Sequence, residues 1–124
     1  MADNFSSSKP IYRQIAEQLL KRMIRNEISP GDKLPSVREL AVETQVNPNT
    51  IQRTYNELER MGIVETRRGQ GTFVVEEPEV IDRFNREMRA EVTEQFVRSM
   101  EELGLSKKEI RSELDRYLQE GDSK

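Results

Sequence analysis

The chain has 124 residues, of which 35% are charged and 34% hydrophobic, and a formal net charge of −3. That length allows one ordinary domain, or a small domain with an appendage, and the modest apolar share leaves surface that a second subunit can cover. Cysteine and histidine are both absent, which excludes disulfides, thiol chemistry, most nucleophilic triads and most transition-metal sites.

Only carboxylate chemistry stays open, and no fixed pair of carboxylates marks a cleft, so the expectation is no enzyme, no cofactor and no metal. No run approaches a membrane span, and the N-terminus lacks the charged-then-apolar form of a signal peptide, so a cytoplasmic protein without membrane contact is expected. The charge is unevenly spread. Residues 1–75 hold 11 Lys and Arg against 9 Asp and Glu, a net +2, whereas residues 76–124 hold 9 against 14, a net −5. The overall balance therefore says little about nucleic acid, because the local patch decides that.

Residues 1–8 are small and polar and read as a mobile leader. Pro10 suits the first turn of a helix whose apolar stripe is Ile11, Ile15, Leu19 and Met23. Ile28 to Asp32 ends it with turn residues. Ser36 and Glu39 form a capping box for a short second helix with Val37, Leu40 and Ala41 on its apolar face, ending near Thr44. Gln45-Val46-Asn47 makes the turn, with Val46 directed into the core. Asn47 as N-cap and Pro48 as first helical residue open a third helix that runs to about Met61. Its buried stripe is Ile51, Tyr55 and Leu58, and Asn49, Thr50, Gln52, Arg53 and Asn56 fall largely on the other side. Gly62 stops it.

Two strand-like runs follow, Ile63–Arg67 and Thr72–Val75, joined by a tip of Arg68-Gly69-Gln70-Gly71. Glu76-Glu77-Pro78 breaks the pattern. Beyond it a long helix carries Ile81, Phe84, Met88, Val92, Phe96 and Met100 at three- and four-residue spacing and stops at Gly104. Ser106 and Glu109 make a second capping box, with Leu105 and Ile110 placed as a hydrophobic staple. The last helix carries Ile110, Leu114, Tyr117 and Leu118, and residues 121–124 read as a frayed tail.

Helix, turn, helix and glycine-tipped hairpin in this order are the parts of a winged helix-turn-helix. The fold class expected is mainly α with a small β-hairpin: a winged helix-turn-helix over residues 9–77, then a two-helix dimerisation unit over 78–120. The start of the third helix offers amides and a guanidinium where solubility alone would favour Glu and Lys. Amides pair with adenine, and Arg with guanine, in the major groove. At the hairpin tip, Arg67 and Arg68 adjoin two glycines. Glycine lets backbone approach closely, and arginine suits the negative potential of a minor groove. The candidate DNA-binding residues are Arg38, Asn47, Asn49, Thr50, Gln52, Arg53, Arg67, Arg68, Gly69, Gln70, Gly71 and Thr72. Lys9, Arg13 and Lys33 are weaker candidates for phosphate contacts, and solvated charge is the reading preferred for each.

The stripe Ile81, Phe84, Met88, Val92, Phe96 and Met100, with Ile110, Leu114 and Leu118, has no large core to fill. A two-fold dimer would cover it, which suits readers of inverted half-sites. A ligand box built from Phe84, Met88, Phe96 and Met100 has little room between two helices.

These residues bring a family into view. Pro10-Ile11-Tyr12 with Gln14-Ile15, then Gly31 to Ala41, Val46 to Thr50, Tyr55 with Leu58-Glu59, Gly62-Ile63 and Arg68 to Val74 resemble the GntR family of bacterial transcription regulators, specifically its short YtrA-type subfamily. The resemblance is close over roughly residues 9–75. It implies a homodimer on an inverted-repeat operator, with contacts from Arg38, the third-helix start and the wing tip. It also implies transporter genes of the ABC type as a target class. Larger members carry a long C-terminal effector-binding domain, and the short stretch after Pro78 leads to the expectation that none is present here, so no small-molecule effector is assigned. Many longer members have arginine at the positions of Pro48 and Gln52. Their base contacts do not carry over, which makes Asn49, Gln52 and Arg53 the local candidates.

The reading is a sequence-specific DNA-binding regulator, taken as a repressor. The same fold leaves one alternative, a winged-helix protein-interaction module without sequence-specific DNA binding.

Overall fold

The structure, a computed structural model, describes residues 8–122; all but the last residue of the expected leader 1–8, and the last two tail residues, lie outside them. Seven elements follow in chain order: α1 (Ile11–Ile24), α2 (Val37–Thr44), α3 (Pro48–Arg60), β1 (Val64–Arg67), β2 (Gly71–Val74), α4 (Pro78–Glu102) and α5 (Lys107–Asp122). The mainly helical class with one small hairpin is as the sequence indicated. The chain divides into two compact units between Asn85 and Arg86, so the first turns of α4 belong with the elements before it.

In the first unit, α1, α2 and α3 enclose a core in which Ile15, Leu19, Leu40, Ile51, Leu58, Ile63 and Val74 are fully buried. Burying side chains of this size stabilises by about 1.5–3 kcal/mol each relative to leaving them in water. The inner stripe of α1 is Ile15, Ala16, Leu19, Leu20 and Met23. Ile11, expected in that stripe, is instead 45% exposed. It sits in the first helical position, before the helix has turned onto the core. Gln14 takes the covered place, and its side-chain amide donates to the Lys9 carbonyl at 2.6 Å.

The Ser36 capping box is closed in both directions. The Glu39 N–H donates to Ser36 Oγ (3.1 Å), and the Ser36 N–H to Glu39 Oε1 (2.9 Å). These bonds satisfy two of the donors that a helix start leaves free. Gln45, at φ +57, turns the chain out of α2, and the Val46 N–H returns to the Ala41 carbonyl at 3.1 Å. Val46 is only half-buried rather than a core residue. At the end of α3, Gly62 at φ +80 turns the chain into β1.

β1 and β2 pair antiparallel, with Val64 opposite Val74 and Arg67 opposite Gly71. A third backbone segment, unforeseen in the sequence, lies on the other edge of β2. The Val74 N–H donates to the Asp32 carbonyl (2.8 Å), the Leu34 N–H to the Thr72 carbonyl (2.8 Å), and the Gly31 N–H to the Val74 carbonyl (2.9 Å). β2 is thus an inner strand.

In the second unit, α4 stops at Gly104 (φ +87), and the Leu105 N–H reaches back to the Met100 carbonyl at 3.2 Å. That is the glycine-based stop read from the sequence. The second capping box also forms, with Ser106 and Glu109 joined at 2.9 and 3.2 Å. Ile110 is buried there and Leu105 partly covered. The helix continues through Gly121 and Asp122, which were expected to be frayed.

Candidate nucleic-acid interface

α3 begins as its cap dictates. Asn47 Oδ1 accepts the Asn49 N–H at 2.8 Å, and Pro48 occupies the first helical position. The cap uses the Asn47 carbonyl oxygen and leaves its amide N–H groups for other partners. Beyond it, Asn49, Gln52, Arg53 and Asn56 are exposed and Thr50 is half-covered. Gln52 Nε2 donates to Asn56 Oδ1 at 3.0 Å. That bond uses one of the two amide hydrogens and leaves Gln52 Oε1 and the other hydrogen, the pair that an adenine edge requires. The Arg53 guanidinium lies over the Tyr12 ring, 4.3 Å from its centroid.

The wing separates its two arginines. Arg67 is committed on both face and edge: its guanidinium sits 4.2 Å from the Phe73 centroid, and one of its nitrogens bonds Glu65 at 2.8 Å. A second carboxylate, Glu76, lies 4.0 Å from the same guanidinium. Arg68 is exposed and has no ion pair among the described residues. Gly69 (φ +77) and Gly71 (φ +124) hold the tip in conformations that favour glycine, with Gln70 exposed between them and Thr72 partly covered. Gly71 also serves as a saddle, because a Cβ there would lie 2.8 Å from Lys33 Cε. Lys33, read from the sequence as solvated charge, is brought beside the wing tip. A groove of about 550 Å³ runs between the Lys33–Glu39 stretch and the Thr66–Thr72 hairpin.

Arg38 is exposed on α2 and, like Arg53 and Arg68, makes no ion pair among the described residues. By contrast Arg22, Arg25, Arg60 and Arg67 all face carboxylates. Lys9 is held by Glu17 at 2.9 Å. Tyr12 and Asn56 are residues near this surface that sequence reading gave no part, and Lys33 is one that it ranked low. The Lys33 contact depends on a strand pairing, and the Tyr12 contact joins two separate helices. Only Asn56, four residues after Gln52, could have been found from spacing.

A smaller cavity, about 250 Å³, is lined by Arg13, Glu17, Leu20, Glu57, Arg60 and Phe84 among others. Its charges are of both signs, and Arg60 with Glu57 already forms a pair. Among the described residues no cluster could hold a metal ion and no helix is long and apolar enough to cross a membrane.

The expected dimer residues divide by unit. Ile81 is buried within the first unit and Phe84 is half-covered there. Ile81 therefore offers little surface to a partner, and the same holds for Ile110 in the second unit. In that second unit Val92 (63%), Phe96 (38%), Leu114 (41%) and Leu118 (54%) stay exposed, joined by Leu103 and by Tyr117, which the sequence reading set on the last helix without counting it in the dimer stripe. Met88 and Met100 are partly covered.

The chain is similar to known proteins in sequence and in fold. Residues 11–74 match the family described as bacterial regulatory proteins, gntR family. The chain is 56% identical over 121 residues to the HTH-type transcriptional regulator YhcF of Bacillus subtilis, covering 98% of this chain and all of that one. It is 54% identical over 70 residues to the HTH-type transcriptional repressor YtrA of the same organism, covering 56% and 54% of the two chains. Among solved structures, a GntR family transcriptional regulator from Listeria monocytogenes superposes with a TM-score of 0.85 at 39% identity, over 90% of this chain and 98% of that one. The AraR DNA-binding domain in complex with operator ORX1 superposes with a TM-score of 0.53 at 27% identity, over 60% and 90%. The chain belongs to the GntR family of bacterial regulatory proteins, in its YtrA-type subfamily, and is a transcriptional regulator whose N-terminal winged helix-turn-helix is a DNA-binding domain.

Proposed function

We propose that the chain acts in the cytoplasm as a homodimer that recognises an inverted-repeat operator and represses transcription. The observation that carries this reading is a set of cations without carboxylate partners among the described residues. Arg38, Arg53 and Arg68 stand free of carboxylates on α2, α3 and the wing, in a protein that pairs many of its other arginines. In this reading the α3 start enters the major groove, with Asn49 and Gln52 at base edges. The wing tip from Arg68 to Thr72 follows the flanking minor groove, and Arg38 anchors a phosphate. The AraR–operator complex supports DNA as the partner, and the repressor YtrA supports repression. ABC-transporter genes are the proposed target class, on the subfamily resemblance. No catalysis is proposed.

Dimerisation is proposed through the second unit, where exposed Val92, Phe96, Leu114 and Leu118 leave an apolar face uncovered. The domain boundary is proposed at Pro78, where α4 begins, with the first turns of that helix packing with the winged unit up to Asn85.

The test is selection of bound duplexes from a random pool at near-physiological salt, alongside sedimentation of the free protein. A two-fold symmetric site and a dimeric mass are expected. Recovery of no enriched sequence would turn the reading toward a protein-interaction module. A Phe96→Asp/Leu118→Asp variant should sediment as a monomer and lose affinity for the full site. A variant that stays dimeric places the interface elsewhere.

A further inference from the structure

We infer that Tyr12, at the start of α1, is a positioning residue for DNA recognition: its ring holds the Arg53 guanidinium in place while leaving the hydrogen-bonding edge of that group open. The inference rests on the proposed DNA reading and adds to it a residue that has no need to touch DNA.

Tyr12 is itself fixed from two sides. Its backbone lies in the first turn of α1, and its carbonyl stands 3.2 Å from the Thr54 hydroxyl. Thr54 is fully buried on α3, one residue after Arg53, and its hydroxyl also lies 3.0 Å from the Thr50 carbonyl. The hydroxyl has a single proton, shared between the two carbonyls, so the contact ties the start of α1 to the second turn of α3. The half-buried Tyr12 ring thus has a defined place beside α3, and Arg53 lies over it at 4.3 Å.

The geometry matters because a guanidinium carries all its N–H groups in one plane. An aromatic ring attracts the cation through the face, whereas a carboxylate takes the edge. Arg67 shows what edge capture does, since Glu65 takes hydrogens on Nε and one Nη that a phosphate or guanine could otherwise use. Arg53 is held by a face alone. An unsupported arginine on a solvent-exposed helix must give up rotamer freedom when it binds, and a side chain already held gives up less. Tyr12 therefore contributes to affinity through the free protein, by narrowing what Arg53 samples before DNA arrives.

A double-mutant cycle on the full chain tests this, using the duplex that the wild type selects from a random pool as probe. The variants are Tyr12→Leu, Tyr12→Phe, Arg53→Ala and the Tyr12→Leu/Arg53→Ala pair, each checked for helix content by circular dichroism. Tyr12→Leu is expected to weaken binding about two- to fivefold, the size of an exposed cation–π attraction. In the Arg53→Ala background the same change should have almost no effect, and Tyr12→Phe, which keeps the ring face, should bind as the wild type does. A merely structural Tyr12 would cost the same affinity with or without Arg53, and that result overturns the inference while leaving DNA recognition by Arg53 intact. If Arg53→Ala alone leaves binding unchanged, the role proposed for Arg53 fails first and Tyr12 falls with it.

Discussion

The Tyr55 hydroxyl on α3 donates to the Pro35 carbonyl at 2.5 Å, one residue before the N-cap of α2. This bond ties the approach of α2 to the helix proposed to read bases. Burial pushes the Tyr55 phenol well above its ordinary range, with Glu39 and then Glu43 adding repulsion to the ionised form. A group raised in the folded state contributes stability that is complete below its unfolded pKa, about 10 for tyrosine, and is lost as pH climbs above that. Tyr55→Phe should cost about 1–2 kcal/mol at neutral pH, because the Pro35 carbonyl loses its donor. Above pH 10 the gap between variant and wild type should close, since only the wild type has a buried phenol to ionise. Urea unfolding at pH 7 and pH 11 measures both, and a gap that stays constant argues against the bond as the cause.

The α2 capping box gives a prediction of opposite sign. The Ser36 backbone N–H, then its hydroxyl, hold the Glu39 carboxyl below the usual carboxylate range. A depressed pKa contributes stability present above the unfolded value, about 4.3, and lost as pH falls through the folded one. Glu39→Gln should therefore lower Tm at pH 7, and the difference should shrink as pH drops below 4. Equal differences at pH 7 and pH 3 would show that the carboxylate charge has no part in the cap.

Gly69 and Gly71 should respond differently to alanine. A Cβ at Gly69 meets nothing within 4 Å, so only its φ of +77 opposes the change, at about 1–2 kcal/mol. Gly71, at φ +124, lies where alanine is more strained, at about 1–3 kcal/mol, and its Cβ would also displace the Lys33 side chain. Gly71→Ala should be the less stable variant. Adding Lys33→Ala should not restore it, because the end of a lysine moves aside cheaply and the backbone strain remains. Recovery of Tm in that double variant would assign the cost to the contact instead.

The two wing arginines should separate in their salt dependence. Arg68→Ala should weaken binding to most sequences and reduce the log-log salt slope by about one, the signature of a lost phosphate-side cation. Arg67→Ala should leave the slope nearer the wild-type value, because Glu65 already neutralises that side chain. Gln52→Ala should act differently again, relaxing preference at one base pair at a cost of about 1–3 kcal/mol. Titrations at several salt concentrations, with base substitutions across the selected site, resolve the three. Equal slopes for the two arginine variants would contradict the division of roles on the wing.

Local chemistry explains what could be read in advance. Both capping boxes, the Asn47-Pro48 helix start, the glycine stops and the Ile51, Tyr55 and Leu58 stripe depend on neighbours a few residues apart, and all of them stand in the structure. What escaped detection depends on distant partners. The pairing of Asp32 and Leu34 with β2 involves no side-chain pattern, so nothing in the Gly31–Leu34 sequence announces a strand. The different fates of the adjacent Arg67 and Arg68 arise because Arg67 ends β1, two residues after Glu65 and diagonal to Phe73 across the hairpin, whereas Arg68 opens the turn; of these neighbours only Phe73 depends on the register. Ile11 fits a helical stripe on paper but precedes the part of α1 that meets the core. In the second unit, periodicity identified an apolar face without revealing that Ile110 is covered within the chain while Leu118 is not.

The backbone segment that closes the outer edge of β2 has a consequence for how such a regulator can change over evolutionary time. With both edges of β2 bonded, the base of the wing is held by main-chain groups that any non-proline sequence supplies. The tip is joined across by a short turn in which the Gln70 N–H bonds the Arg67 carbonyl at 2.9 Å, again main chain to main chain. The side chains of Arg68 and Gln70 are thus free of structural duty. Substitutions there can retarget the wing to another flanking sequence without endangering the fold, whereas any side chain at Gly69 or Gly71 strains the positive-φ backbone of the loop. Divergence among wings of this build should concentrate at the two positions that carry chemistry and spare the two that carry shape.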